Sequence, residues 1–115
     1  MANFNQQQVI GRIGQEVRVK EANGTKVAEF SVATNETYGK GENRKTITTW
    51  FNVEAWEGLA GIAESILKPG VTVFVQGRLR ADNYEKEGLK VKGYKLVADT
   101  IQVFDPIKSE ETKEA

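Results

Sequence analysis

Most of this chain alternates polar and apolar residues with a period of two. In VIGRIGQEVRVK, residues 9–20, Val9, Ile13, Val17 and Val19 share one face and Arg12, Arg18 and Lys20 the other. Gly11 and Gly14 are natural bend or bulge points, so a long, curved first strand is expected. An Asn-Gly turn in EANGT leads into KVAEFSVATN, where Ala28, Phe30, Val32 and Thr34 share a face, which makes a hairpin. The loop ETYGKGENRK then enters a third strand, KTITTWFNVEAWEG, residues 45–58. Its core face holds Ile47, Thr49, Phe51, Val53 and Ala55; its opposite face holds Thr46, Thr48, Trp50, Asn52, Glu54 and Trp56.

One segment breaks the alternation. In LAGIAESILKPG, Leu59, Ile62, Ala63, Ile66 and Leu67 recur at helical spacing, a short amphipathic helix stopped by Pro69-Gly70. In VTVFVQGRLR, Val71, Val73, Val75 and Leu79 face inward and Phe74, Gln76, Arg78 and Arg80 outward. After the polar loop ADNYEKEG, LKVKGYKLVADTIQVF makes a fifth strand kinked at Gly93. Five strands with one short helix between the third and fourth specify an all-β, partly or fully closed barrel of the OB-fold type. The rival is an open α+β sheet with the helix packed on it.

Composition narrows the function. The 115 residues make one domain, residues 1–104, followed by a short acidic tail, 105–115, without periodicity and read as flexible. Neither cysteine nor histidine is present, which removes disulfides, thiolate metal sites and the commonest general base. No catalytic residues, metal or cofactor are expected. GKGENRKT, residues 39–46, faintly resembles a phosphate-binding loop, but Arg44 stands where glycine is required and no helix pattern follows. Asn23 and Asn35 match the N-glycosylation pattern and read as turn and strand-end residues. The chain holds 16 basic and 16 acidic residues; without the tail, 14 basic stand against 12 acidic, a mildly basic domain that permits a polyanion partner. No apolar run is long enough for a membrane span and MANFNQQQV lacks the features of a signal peptide, so a cytoplasmic protein is expected.

The aromatics carry the functional signal. Phe30 and Phe51 fall on core faces, whereas Trp50 and Trp56 sit on the polar face of the third strand, and Tyr38 and Tyr84 in loops from which an OB-fold holds its ligand. A solvent-facing ring near basic residues is a stacking platform for bases of any sequence. Capping of the barrel end, packing under a loop and burial in a subunit interface are the alternatives. Arg12, Arg44, Lys45, Lys68, Arg80, Lys86 and Lys92 are the candidates for phosphate contacts. Phe74, outward beside Gln76 and Arg78, reads as a subunit contact, with groove lining as the alternative. A non-enzymatic module for protein–protein contacts in a replication or primosome complex is the competing function, and a small nuclease a third.

VIGRIGQEVRV, FSVATNETY, TTWFNVEAWEGLAGIAESILKPGVTVFVQGRLR and YKLVADTIQVF together resemble the bacterial single-stranded DNA-binding protein family across residues 9–104. The resemblance implies an OB-fold that binds single-stranded DNA without sequence preference during replication, recombination and repair, and assembles as a nucleoid-associated homotetramer. It maps stacking aromatics onto Trp50, Trp56 and Tyr84, with Tyr38 a fourth position. Two features depart from the family. GQEVRV lacks the usual Asp-Pro after the first strand's glycine, and the acidic SEETKEA lacks the terminal Pro-Phe that recruits replication and repair proteins. The latter points to a short variant, or to a phage-type or plastid-lineage relative.

Overall fold

The computed structural model describes residues 2–104. The strands are β1 (Gln7–Ile13), β2 (Arg18–Ala22), β3 (Thr25–Tyr38), β4 (Lys45–Trp56), β5 (Thr72–Ala81), β6 (Tyr84–Lys86), β7 (Leu89–Val91) and β8 (Tyr94–Val103). A 3₁₀ turn, Gly41–Asn43, precedes β4, and the helix α1, Gly58–Ile66, lies between β4 and β5. The sheet runs β1-β5-β8-β4-β3-β2, and a further β1–β3 pairing at Arg12 and Ile13 closes it into a barrel. Among the described residues, only the β4–β8 pairing is parallel. The expected OB-fold layout, with one helix between the third and fourth barrel strands, is the one observed.

Alternation fills the interior. Val9, Ile13, Ala28, Phe30, Val32, Val53, Ala55, Val73, Val75 and Leu96 are buried together. α1 closes one end with Ala60 and Ala63, followed by Leu67; these small residues let it lie close to the barrel. The expected stripe is therefore rotated: Leu59 is half-buried, and Ile62 and Ile66 are largely outside. The helix stops before Lys68-Pro69, since the residue preceding a proline avoids helical torsions.

Several expectations are corrected. The long first strand is two strands, broken at residues 14–17, so that β1 serves β5 while β2 pairs only with β3. Val19, assigned to the core face, is exposed because β2 lies at the sheet edge. The ADNYEKEG loop is in fact a small hairpin, β6–β7, and the fifth strand starts only after Gly93. β3 and β4 also run on beyond the barrel as a two-stranded arm, which leaves Ile47 and Thr49 exposed and makes Tyr38 a strand-end residue. The acidic tail lies outside the described residues.

Gly77 sets the direction of β5. The register with β8 shifts there, Gln76 facing Thr100 and Gly77 facing Ala98, so Asp99 is left unpaired as a bulge. A Cβ on Gly77 would collide with the Val97 carbonyl. Gly77→Ala is therefore expected to lower the unfolding free energy in urea by about 1–3 kcal/mol; wild-type stability would show that β5 and β8 can separate without cost.

Candidate functional site

Burial of Val53 and Ala55 fixes which side of β4 faces the core, so Trp50, Asn52, Glu54 and Trp56 share the outer side. Pairing carries that surface into the neighbouring strands. Arg12 of β1 stands opposite Ala33 of β3, and Ala33 opposite Trp50, so one row across three strands holds Arg12, Ala33 and Trp50. The indole of Trp50 occupies the space over Gly14, where any Cβ would strike the ring, and remains 56% exposed. This is the positional reason for glycine at the end of β1.

Trp56 lies six residues further on, roughly 20 Å along the strand at about 3.3 Å per residue, too far for one base to reach both rings. It is half-buried in an open cleft of about 530 Å³ with Leu59, Arg78, Arg80, Val97 and Asp99. The Trp56 Nε1–H donates to Glu54 Oε1 at 3.1 Å, and Lys95 Nζ donates to Glu54 Oε2 at 2.9 Å. Arg80 is opposite Lys95 in the β5–β8 ladder. A second open cleft, about 210 Å³, runs between the 14–17 turn and the outer side of β3 and β4, with Ser31, Asn52, Glu54, Asp82 and Lys95 among its walls. Its acids are partly balanced within the protein: Glu29 faces Lys20 at 2.9 Å and Arg18 at 3.9 Å.

The two arms carry the remaining candidates. Tyr38 pairs with Lys45 near the tip of the β3–β4 arm, with Arg44 just before it. Thr48 donates to Asn35 at 2.6 Å, and the Thr37 and Thr46 hydroxyls share a 3.2 Å bond, tying the arm together. Tyr84 opens β6 opposite Val91, with Lys86 on its side of the hairpin and Lys92 just beyond β7; the Asp82 N–H donates to the Gly93 carbonyl at 2.8 Å and closes the base.

The structure thus sets Arg12 in one row with Trp50, two strands away, and places Arg80 in the Trp56 cleft. It places Arg44 and Lys45 on one arm and Lys86 and Lys92 on the other. Lys68 stands apart, at the end of α1 beside Glu64 and Val17. Arg78, on the same outer row of β5 as Phe74 and Gln76, lies beyond the Gly77 bulge and also lines the Trp56 cleft. Phe74 pairs with Ile10, 57% exposed, and Gln76 accepts a 2.8 Å bond from Gln8 Nε2. From Gln7 to Gly11 β1 is paired on one side only, to β5.

Sequence reasoning passed over Lys95 and Tyr94, the latter 67% exposed at the start of β8. Tyr94 was legible as an aromatic following a kink glycine. Lys95 was not, because its meaning depends on the parallel β4–β8 pairing, a contact between segments about forty residues apart. Among the described residues no group of three or more acidic side chains is placed to hold a metal, and no helix is long and apolar enough to cross a membrane.

Residues 4–104 match the family model described as "Single-strand binding protein family". The single-stranded DNA-binding protein of Neisseria meningitidis is 35% identical over 105 residues, covering 89% of this chain and 60% of that protein. The chain therefore spans about 60% of the length of that relative. The mitochondrial single-stranded DNA-binding protein of Danio rerio is 30% identical over 86% of this chain and 75% of its own. Among solved structures, the Plasmodium falciparum SSB complex with ssDNA superposes with a TM-score of 0.81 at 26% identity, covering 91% of this chain and 98% of that one.

The two tryptophans should be distinguishable without any ligand. Trp56, reported alone by Trp50→Phe, is expected to emit at shorter wavelength and to be quenched less by acrylamide than Trp50, reported alone by Trp56→Phe. Equal quenching would contradict the half-buried setting of Trp56.

Proposed function

The chain belongs to the single-strand binding protein family, and from that premise we propose that it coats single-stranded DNA without regard to sequence in replication, recombination and repair. The family consists of DNA-binding proteins, not enzymes. The observation that carries the reading is the outer side of β4, with Trp50 in one cross-strand row with Arg12 and Trp56 in a cleft with Arg78 and Arg80. Flat rings accept any base, whereas the base faces of a duplex are hidden within the stack, so stacking selects single strands. Arginines on either side neutralise phosphates and make the affinity salt-dependent. Both clefts are open and shallow, which suits a polymer passing across more than a small molecule held within.

In this reading Trp50 and Trp56 stack different bases, while Tyr84, Tyr38 and the exposed Tyr94 extend the track onto the arms. Arg44, Lys45, Lys86 and Lys92 supply phosphate contacts at the arms, and Arg78 joins Arg80 in doing so at the barrel. Lys68, at the end of α1, serves the strand only where it wraps round that end. The patch of Ile10, Phe74 and Gln76, with the open edge of β1, supports assembly with further copies of the chain, which we read as a homotetramer. Relatives occur in bacteria and in mitochondria; for this chain we propose the nucleoid of a bacterial cytoplasm.

Oligo(dT) is expected to quench tryptophan emission at low salt, and Trp56→Ala to weaken binding by about 1–3 kcal/mol, the range for loss of one stacked base. Absence of quenching at low ionic strength would remove the proposal, and so would equal binding of duplex DNA. Phe74→Glu should lower the mass in solution by equilibrium sedimentation while leaving the monomer folded; an unchanged assembly would place the subunit contact elsewhere.

A further inference from the structure

Glu54 is the one charged side chain among the described residues that is buried, at 9% exposure, and it lies on the surface proposed to receive a polyanion. A buried carboxylate is tolerated when its oxygens are bonded, and here each has one partner: the Trp56 indole on Oε1 and the Lys95 ammonium on Oε2. The arrangement follows from the ladder. Glu54 and Trp56 are two apart on one strand and share its outer side, while Val97, opposite Glu54 in the parallel pairing, shares its side with Lys95. The indole edge is thereby tethered, leaving rotation about the remaining torsions restricted, and the lysine is turned inward although Arg80 beside it is exposed.

Resting on the single-strand reading above, we infer that Glu54 is a positioning residue with two effects. It fixes the pose of the Trp56 ring before DNA arrives, and it holds Lys95 away from the phosphates. The cation row of β5 and β8 then presents Arg78 and Arg80 alone. A chain with Glu54 neutralised binds DNA with one more cation and a steeper dependence on salt.

The test compares the wild-type chain with Glu54→Gln, Glu54→Leu and the double variant Glu54→Gln/Lys95→Met. In the free protein, the Trp56 indole N–H resonance, assigned by its loss in Trp56→Phe, should keep slow exchange with water in Glu54→Gln, whose amide oxygen still accepts. In Glu54→Leu it should move upfield and exchange faster. With oligo(dT), Glu54→Gln should steepen log K against log salt by about 0.7, the single-strand value per phosphate, or about 2–3-fold more affinity lost over a fourfold rise in salt. The double variant should return to the wild-type slope, which a merely structural role for Glu54 would not produce. A wild-type slope in Glu54→Gln, or an unmoved indole resonance in Glu54→Leu, overturns the inference. Should Glu54→Leu fail to fold, the Gln variant and the double variant still decide the matter. If wild-type chain does not bind oligo(dT), the proposed function fails, and the indole resonance alone decides whether Glu54 positions Trp56.

Discussion

The register of β4 inside the barrel is the constraint on which the rest depends. Val53 and Ala55 are buried between β3 and β8, and a strand's side chains alternate, so Asn52, Glu54 and Trp56 must lie outside. A slip of one residue would drive Glu54 and Trp56 into the interior and bring Val53 out, reversing every side chain at once. The hydrophobic interior thus specifies the polar exterior. Trp50 comes into line with Arg12, and Glu54 reaches Lys95, through the same hydrogen-bond ladders that close the barrel.

Two local departures from regular pleating give the surface its division of labour. The outer side of β5 changes neighbours near the Gly77 bulge, from Ile10 and Gln8 of β1 to the cleft that holds Trp56. Phe74, Gln76 and Arg78 stay on one outer row of β5, since the extra residue, Asp99, belongs to β8. Past the barrel, β3 and β4 continue pairing where there is no core to cover, so Ile47 and Thr49 keep the alternation but lose their burial. Chain that is structural in the barrel becomes, in the arm, a ladder held by backbone bonds and by the Thr and Asn side chains.

Much of this was legible in the sequence because period-two alternation and a single helical interruption are local signals. They gave the barrel, the place of the helix and the anomaly of Trp50 and Trp56 on a polar face. What was missed depends on distant segments. The rotation of α1 toward Ala60 and Ala63 reflects how closely a helix can approach the barrel end, which no helical wheel contains. Beyond the break at residues 14–17 the pairing with β5 is lost while that with β3 continues. Arg78 comes to line the Trp56 cleft through the pairing of β5 with β8, and Lys95 gains its role from Glu54, forty-one positions earlier.

The central claim is that bases stack along the outer side of β4. The most direct measurement is photocrosslinking of the chain to oligo(dT) carrying 5-iodouracil, followed by mapping of the modified peptides. Crosslinks at Trp50 and Trp56, with Tyr84 as a further site, are the expected result. Crosslinks confined to the side of β1 and β5 that carries Ile10 and Phe74 would contradict it.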